Sequence, residues 1–262
     1  MRIVTWNINS VRLRAGLLQQ LKDVLDPDVI CLQETKCPDE HFPHEVFESL
    51  GYNYVFANGM KSYNGVVIAS REPFVDGQIH TRVGKSDCRH ISVRIKDIHL
   101  HNLYVPAGGD IADPVINDKF AHKLDFMDEL ASFFPEHYKP TDKLVLVGDL
   151  NIAPLEHDVW SHKQLLSVVS HTPIEVEKFG LFQNSLDFVD AVRKFVPENE
   201  KCYSWWSYRN RDWKASNRGR RLDHVLVSRP LETKLRKQEI LVDARDWERT
   251  SDHVPVLVEL AL

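Results

Sequence analysis

The stretch KLVLVGDLNIAP, residues 143–154, places four consecutive aliphatic residues, Leu144 to Val147, ahead of Gly148, Asp149, Leu150 and Asn151. An apolar run without alternation reads as a strand buried on both faces, which is how strands lie inside a layered α/β protein. Such a strand ought to end in a turn. This one ends by presenting a carboxylate and a carboxamide two residues apart. Along an extended backbone, side chains at i and i+2 point to the same side, so Asp149 and Asn151 can address one target. A dry, rigid strand then aims a base.

Short runs rich in β-branched and apolar residues recur outward from this one, at 2–8, 28–33, 52–57, 65–70, 90–96, 98–105, 222–228 and 254–260, each bounded by turn residues. Between them, VRLRAGLLQQLKDVL (11–25), NDKFAHKLDFMDELASFF (117–134) and QNSLDFVDAVRKF (183–195) set apolar residues at three- and four-residue spacing, which predicts helices. Strands outnumber helices, and the runs 90–96 and 98–105 flank Lys96 and Asp97 like a hairpin. The expected class is therefore α/β, two packed mixed β-sheets flanked by helices. No internal repeat, low-complexity tract or Pro/Ser-rich linker divides residues 1–262, so a single domain is expected. The least regular part, 153–180, holds Pro154, Pro173 and several histidines and is expected to make long surface excursions.

Composition narrows the function classes only a little. Hydrophobic residues make up 43% of the chain and charged residues 27%, ordinary for a soluble protein with a sizeable core. A net charge of −5 and a pI near 6.2 argue against a uniformly basic nucleic-acid coat and leave room for a local basic patch. Four cysteines (31, 37, 88 and 202) form no C-x-x-C pair and are too sparse for a disulfide framework, which suggests a reducing, cytoplasmic compartment. The start MRIVTWNINS lacks the apolar core of a secretion signal, and no run approaches the roughly 18 apolar residues of a membrane span. No membrane partner is expected.

Polar residues gather where the strands end: Asn7 and Asn9 in WNINS, Glu34 in CLQETK, Tyr104 in NLYVPAGG, Asp149 and Asn151 in GDLN, Asp223 in RLDHVLVS, and Asp252 and His253 in SDHVPV. Each alone has an ordinary use as a turn, cap or packing residue. Together, at strand ends that converge, they make an oxygen-rich pocket suited to a hard cation such as magnesium. Glu34 and Asp252 suit the ligand role. Asp149 can take a proton from water, with Asn151 orienting the same nucleophile. His253 can donate to a phosphate oxygen as imidazolium while Asp223 holds its ring, and Tyr104 is a further donor.

Other motifs fail. GKS at 84–86 lacks the upstream glycine of a phosphate-cradling loop, since Ile79 stands there, and G-x-S-x-G is absent. His99 and His101 share a strand face without an evident third zinc ligand.

TWNINSVR, LQETK, YNGVVIAS, NLYVPAGG, LVLVGDLNIAP, NRGRRLDHVLVS and SDHVPVLVEL, in that order over nearly the whole chain, resemble the exonuclease III family of abasic-site endonucleases, within the DNase I-like superfamily. The resemblance implies a four-layered α/β sandwich. It also implies magnesium-dependent hydrolysis, with manganese as a possible substitute, on the 5′ side of abasic sites in duplex DNA, plus 3′-to-5′ exonuclease and 3′-phosphatase or 3′-end cleaning activity. By position it assigns Asn7, Glu34, Asp149, Asn151 and Asp252 to the metal or its neighbours, and Tyr104, Asp149, Asn151, Asp223 and His253 to catalysis. A monomer is expected, cytoplasmic and nucleoid-associated when acting. The rival readings are a superfamily phosphodiesterase or phosphatase whose main activity is not on abasic DNA, and a DNA-binding protein that has lost catalysis.

YSWWSYRNRDWKASNRGRRLDH, residues 203–224, interleaves Trp205, Trp206, Tyr208 and Trp213 with Arg209, Arg211, Lys214, Arg218, Arg220 and Arg221. Cations there can neutralise phosphates while aromatics meet a displaced sugar or base. The resemblance makes Trp205 and Leu222 part of a pocket for a flipped-out abasic sugar; Arg209, Arg218, Arg220 and His253 are expected to contact DNA. Arg220 departs from the family, where tryptophan is usual, so a cationic wall replaces an apolar one.

Overall fold

The computed structural model describes residues 1–210 and 212–262; Arg211, one of the cations singled out in the sequence, lies outside the described residues. Among the described residues, twelve strands form two six-stranded sheets. In chain order they are β1 Arg2–Asn7, β2 Val29–Gln33, β3 Tyr54–Asn58, β4 Val66–Ser70, β5 Val75–Ile79, β6 His90–Ile95, β7 Ile98–Tyr104, β8 Lys143–Asp149, β9 Val189–Asp190, β10 Asp223–Val227, β11 Leu235–Ile240 and β12 Val256–Leu260. One sheet runs β11-β12-β1-β2-β4-β3 and the other β5-β6-β7-β8-β10-β9. Both are mixed as expected: β1 lies parallel to β2 and β7 parallel to β8, while the other neighbours are antiparallel.

Strand alternation builds the layers. Val145 and Val147 of β8 face the other sheet, where they join Ile3, Val29, Cys31, Leu100, Val225 and Val258 in a buried core. Leu144 and Leu146, on the opposite face, pack with Phe126, Met127, Leu130, Phe179 and Phe182 of the outer helices. On the first sheet, Val4, Trp6, Ile30 and Leu32 meet Leu18, Leu21 and Leu25. A strand dry on both faces therefore needs apolar residues at every position, which is why 144–147 shows no alternation. Each such side chain contributes on the order of 2 kcal/mol of burial free energy.

The helices are α1 Val11–Arg14, α2 Leu17–Leu25, α3 His44–Ser49, α4 Asp118–His137, α5 His162–Leu165 and α6 Pro173–Asn184, among others. The single helix expected over 11–25 is two, parted at Ala15 and Gly16. The expected helix at 183–195 is absent. Its helix lies upstream as α6, started by a capping box between Thr172 and Glu175 with Pro173 in the first turn. Downstream, Asp187 takes a left-handed φ of 54°, and Val189 and Asp190 pair with Val227 and Leu226 as β9. The Asp190 carboxylate then accepts from the amides of Val192 and Arg193, a local turn that competes with helix. The excursion expected at 153–180 thus contains α5 and the start of α6. The edge strands β5 and β11 went unrecognised because β5 is exposed throughout and β11, LRKQEI, is mostly charged or polar.

Gly148 is the one residue of β8 that could not be otherwise. Its φ is +146°, and a Cβ there would sit 1.9 Å from the carbonyl oxygen of Leu103 on β7. The parallel pairing that places Tyr104 beside Asp149 depends on this close approach. Gly148→Ala should therefore lower stability by about 3 kcal/mol or more, read as a shifted urea midpoint, from overpacking and backbone strain together; an unchanged midpoint would contradict the assigned packing.

Candidate active site

The faces of the two sheets that meet in the core are apolar along most of their length and polar at one end. Asn7 and Gln33 end β1 and β2; Asn102 and Tyr104 end β7; Asp149 ends β8; Asp223 begins the antiparallel β10. All six are buried. Registers set them side by side: Asn7 opposite Gln33, Tyr104 opposite Asp149, and Asp149 opposite Asp223. Beneath the site, the Gln33 amide donates to Thr5 Oγ1 at 2.9 Å and to Asn102 Oδ1 at 2.6 Å, and the Asn102 amide donates to the carbonyls of Leu32 and Val67. Gln33 and Asn102 were not singled out from the sequence; their signal was a polar residue at an inward position of an otherwise apolar strand.

Asp149, Asp223 and His253 form a buried chain. His253 Nδ1 lies 2.8 Å from Asp223 Oδ2 and its Nε2 lies 3.6 Å from Asp149 Oδ2. Ser204 Oγ donates to Asp223 Oδ2 at 2.6 Å and accepts from the amides of Leu222 and Asp223. Burial opposes a charge on His253, but the Asp223 and Asp149 carboxylates outweigh it and push the imidazole up to about 10. It is an imidazolium at neutral pH. Asp149 shares that cation with Asp223, so burial wins at Asp149: its carboxyl is pushed up to about 7 against the pull of His253.

Asn7 connects this chain to Glu34. Its Nδ2 donates to Asp149 Oδ2 at 2.9 Å and to Glu34 Oε1 at 3.0 Å, which also accepts from the Tyr104 hydroxyl at 2.7 Å. Burial would raise the Glu34 carboxyl, yet the bonds from Asn7, Lys36 and Tyr104 hold it below the ordinary range. Tyr104, expected to serve the phosphate, here serves Glu34; burial and the Glu34 charge push its phenol well above 10. Asn151 does not sit in an extended segment, since its φ is +53°. The turn nonetheless keeps its amide 3.3 Å from Asp149 Oδ2, with a second bond to the Val105 carbonyl at 2.9 Å, and its backbone N–H donates to Asp149 Oδ1. The reach predicted for Asn151 is there, by a different route.

Asp252 is held from two sides, by Asn9 Nδ2 at 3.2 Å and by the Trp205 indole at 2.9 Å. Lys36 Nζ stands 2.8 Å from Glu34 Oε2 and 2.7 Å from Asn9 Oδ1. Among the described residues, Asp149, Asp223 and His253 form one of two tight groups able to hold a metal, and neither group includes Glu34 or Asp252. Glu34 and Asp252 offer carboxylate oxygens in a part-exposed setting lined by carboxamides. That donor set fits a hard cation that keeps much of its water, and Lys36 already supplies positive charge there.

These residues line one cleft of about 600 Å³, with Glu34, Asp149, Asn151, Asp252 and His253 along it and Trp205, Arg209, Arg220 and Leu222 as further wall. Residues 204–206 pair with Arg220 on one side and with 252–254 on the other, which brings the basic segment to the carboxylates. An adjoining groove collects Trp160, Trp205, Arg209, Arg218 and Arg220, with the Arg218 guanidinium 4.7 Å from the Trp160 ring. Trp206 is instead a core residue packed on Tyr203, and Arg221 is fully buried between Asp158 and Asp190.

The second tight group is His80, His90 and His101. His101 thus finds its neighbours on β6 and after β5, and not at His99. Arg82 Nε donates to His90 Nδ1 at 3.1 Å, His90 Nε2 meets His101 Nδ1 at 2.9 Å, and His101 Nε2 meets the Tyr138 hydroxyl at 2.9 Å. Because Arg82 can only donate, the proton of His90 sits on Nε2 and that of His101 on Nε2 in turn, so every ring nitrogen along the chain is taken. Burial pushes His80 down to about 4 and His90 and His101 well below the usual range. The group is a neutral hydrogen-bonded stack on the outer face of the second sheet.

The Endonuclease/Exonuclease/phosphatase family model matches residues 4–253. Exodeoxyribonuclease III of Haemophilus influenzae is 30% identical, with 99% of each chain covered. An AP endonuclease from Archaeoglobus fulgidus superposes with a TM-score of 0.93 at 30% identity, covering 100% of both chains. A 3′ phosphatase from Neisseria, bound to a product DNA hairpin, superposes with a TM-score of 0.92 at 29% identity and the same coverage.

The Asp223 carboxylate is the first of the charges that keep His253 protonated. In metal-free Asp223→Asn, the imidazole of His253 should titrate at least one pH unit lower than in the parent, followed by NMR of its ring protons; an unshifted midpoint would remove Asp223 from that role.

Proposed function

The chain belongs to the Endonuclease/Exonuclease/phosphatase family and, within it, to the exonuclease III branch, and from that membership we propose that it is a DNA repair phosphodiesterase acting on duplex DNA at abasic sites and damaged 3′ ends. The observation that supports this most is the meeting of a buried Asp149–His253–Asp223 chain, a Glu34–Asn7 pair and a basic, aromatic wall in a single cleft. A phosphodiester is an anion whose charge grows as water attacks. The cleft offers a base, an imidazolium and phosphate-binding cations within reach of one another.

In this reading Asp149 takes the proton of the attacking water. A carboxyl pushed up to about 7 is well matched to proton transfer near neutral pH. Asn151 and Asn7, both bonded to Asp149, fix the direction of its free lone pair. The His253 imidazolium, oriented by Asp223, donates to a non-bridging phosphate oxygen, and Tyr104 keeps Glu34 in place. Glu34 and Asp252, with Asn7 and Asn151 nearby, would hold magnesium, or manganese in its place. Such an ion, when bound, offsets charge on the phosphoryl and leaving oxygens. Attack is in line, with no covalent protein intermediate. Arg209, Arg218 and Arg220 meet phosphates, and Trp205 and Leu222 meet the displaced group.

Asp149→Asn should lower cleavage of a duplex carrying a tetrahydrofuran abasic analogue by roughly 100-fold or more while leaving binding largely intact by gel shift in EDTA, because the base is lost and the basic wall remains. Near-normal turnover would disqualify Asp149. Glu34→Ala should raise the magnesium concentration needed for half-maximal rate, and an unchanged metal titration would remove Glu34 from the ligand set.

A further inference from the structure

Among the described residues, Arg220 is a cation in the cleft without a counter-ion. Its backbone is fixed by exchange of two hydrogen bonds with Trp205, both 3.0 Å. Its side chain is tied by Nη1, which donates to the Val169 carbonyl at 3.0 Å and to Ser170 Oγ at 2.7 Å, and its guanidinium carbon lies 5.3 Å from the centre of the Trp205 ring. Its Nε is buried with no hydrogen-bond partner. Among the described residues no carboxylate forms an ion pair with it, whereas the next residue, Arg221, is neutralised by Asp158 and Asp190. Removing a guanidinium from water is costly unless a counter-charge replaces the lost hydration. The partners of Arg220 are all neutral, so they hold its direction without cancelling its charge.

The cleft lining sets four carboxylates, Glu34, Asp149, Asp252 and Asp110, against three cations, Arg209, Arg220 and the His253 imidazolium. His253 faces Asp149 and Asp223 at the floor, so on the wall shared with Trp205 and Leu222 it is Arg220 that offers a small anion an uncancelled charge.

Resting on the reading of this cleft as a DNA phosphodiesterase site, we propose that Arg220 makes it selective for 3′ ends that carry a second small anion, the carboxylate of a 3′-phosphoglycolate or the extra charge of a 3′-phosphate, over an internal, neutral abasic sugar. The reaction is ordinary hydrolysis. Water oxygen bonds to phosphorus, the bond from phosphorus to the 3′ oxygen of the DNA breaks, that oxygen gains a proton, and the phosphate leaves with whatever substituent it bore. The substituent is what the wall of Trp205, Arg220 and Leu222 meets. A carboxylate or phosphate oxygen gives the guanidinium its missing partner through charge-assisted hydrogen bonds. A neutral deoxyribose displaces water from it and gives no charge in return.

The test compares kcat/KM, with magnesium, on four duplexes of one sequence: a 3′-phosphoglycolate, a 3′-phosphate, an internal tetrahydrofuran and an unmodified recessed 3′ end. Wild type should favour one or both anionic ends over tetrahydrofuran by roughly 10-fold or more, the scale of one charge-assisted hydrogen bond. If the carboxylate is the ligand, phosphoglycolate leads; if the terminal charge is, 3′-phosphate leads. Arg220→Trp and Arg220→Gln should each erase that preference, and Arg220→Lys should keep part of it. The proposal is overturned if tetrahydrofuran is cut as well as the anionic ends by wild type, or if Arg220→Gln, folded by its melting curve, keeps the wild-type ratios. Failure of wild type to cut any of the four would overturn the phosphodiesterase reading itself, and the selectivity with it.

Discussion

One carboxamide joins the two sheets at the site. Asn7, at the end of β1 in the first sheet, divides its Nδ2 hydrogens between Glu34, which follows β2 in the same sheet, and Asp149, which ends β8 in the other. Two carboxylates that would otherwise repel are thereby held at a fixed spacing around a shared donor. The geometry follows from the sandwich: strands whose apolar faces meet along most of their length end at one edge of the common core, so the last inward side chains must meet each other. Where those side chains are polar, the edge of the core becomes a pocket. Gly148 lets β8 approach β7 closely enough for Asp149 to take its place there.

Electrostatics at that edge are set by burial and then divided by partners. Asp149 and Asp223 are both buried and both face His253, and a single imidazolium cannot fully stabilise two carboxylates. The shorter contact goes to Asp223, and burial pushes the Asp149 carboxyl up to about 7. Nearby, a fully buried ion pair of Lys123 and Glu175 ties the site to α4 and α6: Lys123 Nζ donates to the Asn151 carbonyl at 2.7 Å, and Glu175 accepts from the amide of Ser170. A lysine and a glutamate with no exposure are tolerated because each satisfies the other and the turn between them. The turn that shapes the catalytic edge and the loop that touches Arg220 are therefore braced by one interaction.

Much of this was legible in the chain. The uninterrupted run 144–147 predicted a strand dry on both faces, and the gathering of Asn7, Glu34, Tyr104, Asp149, Asp223 and His253 at strand ends predicted their meeting. What the sequence hid was anything not written in apolar spacing. β5 and β11 are edge strands with little to bury, so they carry no pattern. The run 183–195 has helical spacing, but Asp187 and Asp190 turn the chain locally and the Thr172–Glu175 capping box had already begun the helix upstream. Ser204, Gln33, Asn102 and Lys123 were invisible for another reason: each is an ordinary residue until its three-dimensional neighbours are known. His101 showed the same limit, since its neighbours His80 and His90 come from after β5 and from β6, and Arg82 fixes the protons of His90 and His101.

The central proposal is that the polar edge of the inter-sheet core, rather than the histidine stack, takes a hydrated divalent ion. Anomalous diffraction from crystals soaked in manganese tests it most directly. The account places the strongest anomalous peak in the cleft, against the Glu34 carboxylate and within reach of Asp252, with water completing its shell. A peak at His80, His90 and His101, with the cleft empty, would contradict it.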